Sequence, residues 1–140
     1  MTAADLLEPP TLTRRGTVLV VDDEEGVRVL TKKILEQHGY QVLLAAEGSE
    51  AVVAYAQHAG EVQAVVTDLM MPLMDGATLI RALRQIAPSV RILATTGVTE
   101  STHVAAALRL GAKEVLRKPY SPHVLLRRLR AVLDGQNPAP

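Results

Sequence analysis

Residues 65–76 read Val-Val-Thr-Asp-Leu-Met-Met-Pro-Leu-Met-Asp-Gly, and this stretch decides how the rest of the chain is interpreted. It begins as a short β-branched run, which is typical of a strand in the middle of a sheet. The run stops at one acid, Asp68, and a loop with Pro72 and the turn-like pair Asp75-Gly76 follows. We therefore expect a carboxylate at the carboxyl end of a buried strand, where open α/β sheets bind ligands. Because acids also serve as turn formers or helix caps, the stretch alone leaves both interpretations open.

The composition is that of one globular domain. The chain has 140 residues, of which 48% are hydrophobic, so it is long enough to bury its own core. Basic and acidic residues number 15 each, and a net charge of zero argues against direct binding of nucleic acid. Cys is absent, which excludes thiolate metal sites, and no apolar run approaches the roughly 20 residues of a membrane helix. Since residues 1–5 carry no signal-peptide pattern, we expect a cytoplasmic protein that does not bind membranes.

Strand and helix patterns alternate five times along the chain. Apolar strands are predicted at residues 17–21, 41–45, 63–67, 91–95 and 113–116. The helical stripes between and after them are Val27, Leu30, Ile34 and Leu35; Ala51, Val52, Tyr55, Ala56 and Ala59; Leu79, Ile80, Leu83 and Ile86; residues 101–110; and Leu125, Leu129, Val132 and Leu133. Helix ends are predicted at Gly39, Gly60, Pro88 and Gly111, and the last helix is predicted to begin with Ser121 as its N-cap and Pro122 as its first residue.

This alternation predicts an α/β fold with a doubly wound, five-stranded parallel sheet. Right-handed crossovers place the helices on both faces of such a sheet. For five units in a chain of this length we predict the flavodoxin-like strand order 2-1-3-4-5. The domain is expected over residues 16–134, with a flexible leader at 1–15 and a flexible tail at 135–140. The first and third strands are then neighbours.

The ends of four predicted strands bring together groups suited to phosphate chemistry. Strand one is followed by Asp22 and Asp23, strand three by Asp68, strand four by Thr96, and strand five leads to Lys118. Crowded carboxylates repel one another unless a cation is bound, and ligands that are all oxygens favour Mg²⁺. With a hydroxyl and an ammonium opposite, the set predicts an Asp that accepts a phosphoryl group. Taken singly, the acid pair would be helix N-caps and the Lys a surface side chain, so the prediction depends on the combination.

From about Thr17 to Asp134 the chain resembles a response-regulator receiver domain of two-component signalling. The resemblance is carried by Val20-Val21-Asp22-Asp23-Glu24, by Thr67-Asp68-Leu69-Met70-Met71-Pro72-Leu73-Met74-Asp75-Gly76, by Thr96-Gly97 and by Lys118-Pro119. It implies that Asp68 is the phosphoacceptor and that Asp23 is a direct Mg²⁺ ligand. It further implies that Asp22 is a supporting or water-mediated acid and that the main-chain carbonyl of Met70 is a ligand.

The same resemblance implies that Thr96 and Lys118 contact the phosphoryl oxygens and that the Lys118-Pro119 bond is cis. The expected donor is the phosphohistidine of a histidine kinase or of a histidine phosphotransfer protein. The signal is then expected to pass through the surface of the fourth helix, fifth strand and fifth helix to an output domain or effector protein. Such a domain is a switch rather than a metabolic enzyme, and self-association as a homodimer is left open.

Three positions depart from the family pattern or bear on the lifetime of the phosphate. Three residues before Lys118, where the family usually carries Tyr or Phe, this chain has Val115, so the aromatic half of the usual switch is missing. Tyr120 could carry part of the signal, although packing beside the last helix is the stronger expectation. The residues two past the phosphoacceptor and two past the Thr are Met70 and Val98, which cannot orient a hydrolytic water. We therefore hypothesise a persistent aspartyl phosphate.

Two other functions are weighed against this one. A Mg²⁺-dependent phosphohydrolase with an Asp nucleophile needs a second acid two residues later, where this chain has Met70. A receiver that binds proteins without being phosphorylated would not need the intact set of three acids, Thr96 and Lys118. The arginines at 127, 128 and 130 are interpreted as a solvated face rather than a docking surface, and the four His residues are assigned no role.

Overall fold

The computed structural model describes residues 15–97 and 101–135. Almost all of the predicted leader and tail, and the residue at 98, lie outside these ranges. The strands are β1 (Gly16–Val21), β2 (Tyr40–Ala45), β3 (Val62–Asp68), β4 (Ile92–Thr96) and β5 (Glu114–Arg117). The helices are α1 (Glu25–Gln37), α2 (Gly48–Gln57), α3 (Gly76–Ile86), α4 (Ser101–Leu110) and α5 (Pro122–Leu133). None of the helices within the described ranges is long and apolar enough to span a membrane.

The sheet has five parallel strands in the order β2-β1-β3-β4-β5, which confirms the predicted topology. The register places Val21 of β1 beside Thr67 of β3, and Asp68 beside Thr95 of β4. The ends of β1 and β3 therefore lie side by side at the carboxyl edge of the sheet. The strands that precede the two acidic motifs are in this way brought together by topology, although their sequences lie far apart.

The core consists of two apolar clusters, one on each face of the sheet. Alternate residues of β1 divide between them: Leu19 and Val21 join the cluster beneath α2, α3 and α4, and Val18 and Val20 join the one beneath α1 and α5. This explains why β1 is apolar at successive positions, as a strand covered on both faces must be. Each fully buried Leu or Val side chain contributes roughly 1.5–3 kcal/mol to folding. The two clusters hold the strand ends, and hence the acids that follow them, in fixed positions.

Four of the predicted helix boundaries are confirmed, and one of them is the end of α3 before Pro88, with Ala87 as its C-cap. Gly39 and Gly111 follow α1 and α4 with φ values of 91° and 113°, the left-handed conformation that favours Gly. At Gly111 the amides of residues 111 and 112 donate to the carbonyls of Leu108 and Ala107, which is the Schellman pattern. The Ser121 hydroxyl accepts a hydrogen bond from the Val124 amide at 3.1 Å, with Pro122 as the first residue of α5.

Other parts of the helix predictions are wrong. Leu30 belongs to the apolar stripe that predicts α1 but is 59% exposed, because that side of the helix faces an open groove of about 600 Å³ rather than the sheet. Ile86 belongs to the apolar stripe that predicts α3, but it is the last residue of that helix and is 41% exposed. Helix α2 ends at Gln57, short of Gly60, and Ala56 is exposed. Periodicity identified these helices but not which flank of each stripe the neighbouring elements cover.

Candidate functional site

The three predicted acids converge at the carboxyl edge of the sheet. Asp22 and Asp23 follow β1, and Asp68 is the last residue of β3 rather than the first residue after it. Each acid offers one carboxylate oxygen, and the three oxygens lie within 4.8 Å of one another. Asp22 and Asp68 are buried, with 3% and 4% of their surface exposed, whereas Asp23 is exposed. The cluster is therefore buried on the side of Asp22 and Asp68 and open to solvent on the side of Asp23.

Lys118, which directly follows β5, contacts the two buried acids of the cluster. Its ammonium donates to Asp22 Oδ2 at 2.7 Å and forms an ion pair with Asp68 Oδ2 at 3.3 Å. The Lys118 main-chain amide donates to the carbonyl of Thr96 at 2.7 Å, and the Lys118-Pro119 peptide bond is cis, as predicted. Thr96, the last residue of β4, is buried. The structure thus brings Lys118 into contact with two of the predicted acids and anchors its main chain to Thr96.

The pKa values of Asp68 and Lys118 are both raised, but for different reasons. Burial raises the pKa of Asp68, and the repulsion from Asp22 adds to it, although the Lys118 charge and the Met70 amide act in the opposite direction. Burial also disfavours the Lys118 ammonium, but the hydrogen bond to Asp22 and the charges of Asp68 and Asp22 outweigh it, so the pKa of Lys118 is raised. The single positive charge of Lys118 therefore does not neutralise the two buried carboxylates, Asp22 and Asp68. A further cation bound at this site would be stabilised by the remaining negative charge.

The loop after Asp68 is held by its own main chain. The Met70 amide donates to Asp68 Oδ1 at 3.2 Å, and the Gly76 amide donates to the Leu69 carbonyl at 2.9 Å. Between them, the Met74 amide donates to the Pro72 carbonyl at 2.8 Å around Leu73, whose φ is 71°, as in a γ-turn.

The Met residues of this loop divide between the core and the solvent. Met71 is buried and Met74 is half-buried, and both pack against the cluster beneath α2, α3 and α4. Met70 remains 41% exposed beside the site. Asp75 caps α3 by accepting from the Thr78 amide at 2.8 Å.

The loop that carries Asp22 and Asp23 has a support that the sequence did not reveal. The Glu24 amide donates to Asp22 Oδ1 at 2.9 Å, and the guanidinium of Arg28 donates to the Asp22 carbonyl oxygen at 2.8 Å. No feature of the sequence distinguished Arg28 from the other charged residues of α1.

The two residues considered for the switch lie on opposite faces of the sheet. Val115 is half-buried against the cluster beneath α2, α3 and α4. Tyr120 packs against the cluster beneath α1 and α5, and its hydroxyl lies 3.4 Å from that of Thr31 in α1. Val98, invoked for the lifetime of the phosphate, lies outside the described residues.

The acids fit the cation that the sequence predicted. Mg²⁺ binds oxygen at about 2.0–2.1 Å, so two oxygens on one ion are at most about 4.2 Å apart. The three carboxylate oxygens lie within 4.8 Å of one another, which is close to that limit. All ligands offered are oxygens, and the exposed side leaves room for water and for a phosphoryl oxygen.

Comparisons with known proteins agree with this geometry. The family model described as "Response regulator receiver domain" matches residues 18–130. The chemotaxis protein CheY of Bacillus subtilis (strain 168) is 32% identical over 118 residues, which are 84% of this chain and 97% of that protein.

Longer relatives contain a similar segment. The sensor kinase CckA of Brucella abortus (strain 2308) is 38% identical over 127 residues, 90% of this chain and 13% of the kinase. The response regulator MprA of Mycobacterium sp. (strain KMS) is 38% identical over 121 residues, 86% of this chain and 52% of the regulator. The chain thus spans about half or less of the length of these two relatives.

Solved structures show the same fold. The CheY4 chemotaxis protein of Vibrio cholerae has a TM-score of 0.79 at 30% identity, covering 84% of this chain and 98% of that one. A structure of the CheX–CheY–BeF3–Mg²⁺ complex from Borrelia burgdorferi has a TM-score of 0.82 at 27% identity, covering 89% and 98%. Family match, relatives and fold agree, and the chain belongs to the response regulator receiver domain family.

Proposed function

We propose that this receiver domain accepts a phosphoryl group on Asp68 from the phosphohistidine of a histidine kinase or a histidine phosphotransfer protein. The observation that carries the proposal is the gathering of Asp22, Asp23 and Asp68 oxygens within 4.8 Å, with the Lys118 ammonium 3.3 Å from Asp68. Receiver domains as a family are signalling switches of two-component systems, for which a phosphoryl-aspartate and Mg²⁺ are typical. The proposal assigns those properties to named residues of this chain.

The chemistry is an in-line transfer between two proteins. One Asp68 carboxylate oxygen attacks phosphorus, the bond from phosphorus to the donor imidazole nitrogen breaks, and the electron pair returns to the imidazole. Burial favours this role, because it leaves the ionised Asp68 carboxylate poorly solvated. The free energy of such a carboxylate falls when its charge is delocalised onto the phosphoryl group. Lys118, already within 3.3 Å, is placed to pair with the transferred group, and the Thr96 hydroxyl is assigned a hydrogen bond to it.

Mg²⁺ would be held by Asp23 and Asp68 directly, by the main-chain carbonyl of Met70, and by Asp22 through water or as a supporting acid. When bound, it would supply positive charge to the carboxylates and to the phosphoryl oxygens. The Borrelia burgdorferi CheY complex with BeF3 and Mg²⁺, which shares the fold, supports this choice of ion. Asp22 is suited to the supporting role because both its carboxylate oxygens are already bonded, to the Glu24 amide and to Lys118.

The proposal extends to the partners and to the location of the domain. Phosphorylation is taken to change the α4–β5–α5 surface and so to act on an output domain or an effector protein, with a homodimer as a further partner. A cytoplasmic location belongs to the same proposal. The domain catalyses only its own phosphorylation and dephosphorylation.

Two alternatives are less well supported. A phosphohydrolase would need an acid at Met70, which is instead an exposed thioether. A receiver that is never phosphorylated gives no reason for two acids to be buried beside the half-buried Lys118 at a cost in desolvation.

Intact mass after incubation with a small phosphodonor tests the proposal without a partner protein. With Mg²⁺ present, the wild type should gain the mass of one phosphoryl group, and EDTA should prevent it. Asp68→Asn is the matched control, since it preserves shape and removes the nucleophile. A wild type that gains no mass under any Mg²⁺ concentration, or an Asp68→Asn variant that gains the same mass, would refute the proposal.

A further inference from the structure

Arg28 reaches from the second turn of α1 back to the loop that carries two of the three acids. Its guanidinium donates to the main-chain carbonyl oxygen of Asp22 at 2.8 Å, and the side chain is half-buried. Its own amide makes the ordinary helical bond to the Glu24 carbonyl at 3.0 Å. The side chain therefore spans the junction between β1 and α1, and it binds main chain rather than a carboxylate.

The two acids of this loop differ in what holds them. The Asp22 carboxylate is fixed at both oxygens, by the Glu24 amide at 2.9 Å and by Lys118 at 2.7 Å. Within residues 15–97 and 101–135, no hydrogen bond or ion pair holds the exposed Asp23 carboxylate. The direction of the Asp23 side chain is consequently set by its main chain, and the peptide that joins residues 22 and 23 contains the carbonyl that Arg28 binds.

We propose that Arg28 is a positioning residue for the cation site, which by holding the Asp22 carbonyl fixes the Asp22–Asp23 peptide and so directs the Asp23 carboxylate toward Asp68. The inference rests on the proposed function, because it takes Mg²⁺ as the ion that these acids bind. Groups that orient metal ligands in this way are worth about 10–100-fold in metal affinity. A contact to a neutral carbonyl belongs at the lower end of that range.

Electrostatics alone predicts the opposite effect, which makes the inference testable. A guanidinium near the acids repels a second cation, so its removal should strengthen Mg²⁺ binding if charge were its only contribution. If Arg28 acts by position, its removal should weaken binding in spite of the lost repulsion. The sign of the change in Mg²⁺ affinity therefore separates the two roles.

The experiment is a calorimetric titration of the whole chain with MgCl2, with melting temperatures in EDTA measured in parallel. Arg28→Met keeps the aliphatic stem but removes the donor and the charge, and we expect its Kd for Mg²⁺ to rise about tenfold. Arg28→Lys can still donate to the carbonyl and should stay within about threefold of the wild type. Lys32→Ala, which removes a positive charge one turn further along α1, is the matched control and should bind Mg²⁺ at least as tightly as the wild type.

The outcomes distinguish this inference from the proposed function. A wild type that binds no Mg²⁺ would refute the proposed function. If the wild type binds and Arg28→Met binds equally or more tightly, the positioning role is wrong, whatever happens to the melting temperature. Should Arg28→Met fail to fold in EDTA, Arg28→Gln replaces it, because the shorter amide cannot reach the same oxygen and should give the same tenfold weakening.

Discussion

Gly76 packs so closely on the main chain of Asp68 that a Cβ built on it would lie 2.6 Å from the Asp68 carbonyl oxygen. The same Cβ would lie 2.6 Å from the Leu69 Cα, and the Gly76 amide donates to the Leu69 carbonyl at 2.9 Å. The turn that follows the proposed phosphoacceptor can therefore be closed only by a residue without a side chain. Both clashing atoms are main chain, so neither can move aside by changing a rotamer.

Gly76→Ala should consequently destabilise the protein, by about 1–3 kcal/mol, as overpacking does in rigid surroundings. It should also slow phosphorylation by the small donor, because relief of the clash displaces Asp68. Urea denaturation and the mass assay measure the two effects. Gly26→Ala is the matched control near the start of α1: its Cβ would meet nothing within 4 Å, so it should gain up to about 1 kcal/mol from helix propensity. Equal behaviour of the two variants would refute the close packing.

Asp68→Asn should be more stable than the wild type when Mg²⁺ is removed with EDTA. The folded state raises the pKa of Asp68 above its ordinary value of 3.8, chiefly by burial, so it disfavours the ionised form. The stability contributed by this group is therefore present at low pH and is lost as pH rises from 3.8 through the raised pKa. Urea denaturation across this range should give a growing advantage to Asp68→Asn, and Mg²⁺ should stabilise the wild type only. A variant that is less stable than the wild type at neutral pH without metal would contradict the account.

The Asp75 cap of α3 should contribute stability that depends on pH. Hydrogen bonds from Thr78 lower the pKa of Asp75 below 3.8, so its contribution is complete above 3.8 and is lost as pH falls through the lowered pKa. Asp75→Ala should cost about 1 kcal/mol at neutral pH and less in acid. Ser121→Ala removes an uncharged cap from α5, so its cost should not change with pH. Urea denaturation of both variants at neutral and acidic pH makes the comparison, and a constant cost for Asp75→Ala would be inconsistent with a charged cap.

The aspartyl phosphate is expected to be persistent. Met70 is 41% exposed beside Asp68 and has no group that could orient a hydrolytic water, and the same was reasoned for Val98 from the sequence. Met70→Asn combined with Val98→Glu should therefore lose the phosphoryl group faster than the wild type, because the introduced polar groups can orient a hydrolytic water. Loss of the added mass over time measures the rate. If the double variant and the wild type decay together, polarity at these positions does not control the lifetime.

The sequence predicted the convergence of the acids because that convergence follows from topology. Once β1 and β3 are neighbours and parallel, the residues after Val21 and Thr67 must meet at one edge. Packing at atomic scale could not be predicted from the sequence. The Asp75-Gly76 pair predicted a turn but not the contact with the Asp68 carbonyl, and nothing in the pattern of α1 distinguished Arg28 from other charged residues of a solvated helix. The exposure of Leu30 was missed for a similar reason, since an apolar stripe does not indicate how wide a face its neighbours cover.

Location of the phosphoryl group on one named side chain tests the central claim most directly. Borohydride reduces an acyl phosphate of Asp to homoserine, so peptide mapping after phosphorylation and reduction identifies the acceptor. The account predicts homoserine at residue 68 alone, only when Mg²⁺ was present, and none in Asp68→Asn. Homoserine at residue 22 or 23, or a phosphorylated protein in which residue 68 remains Asp, would contradict it.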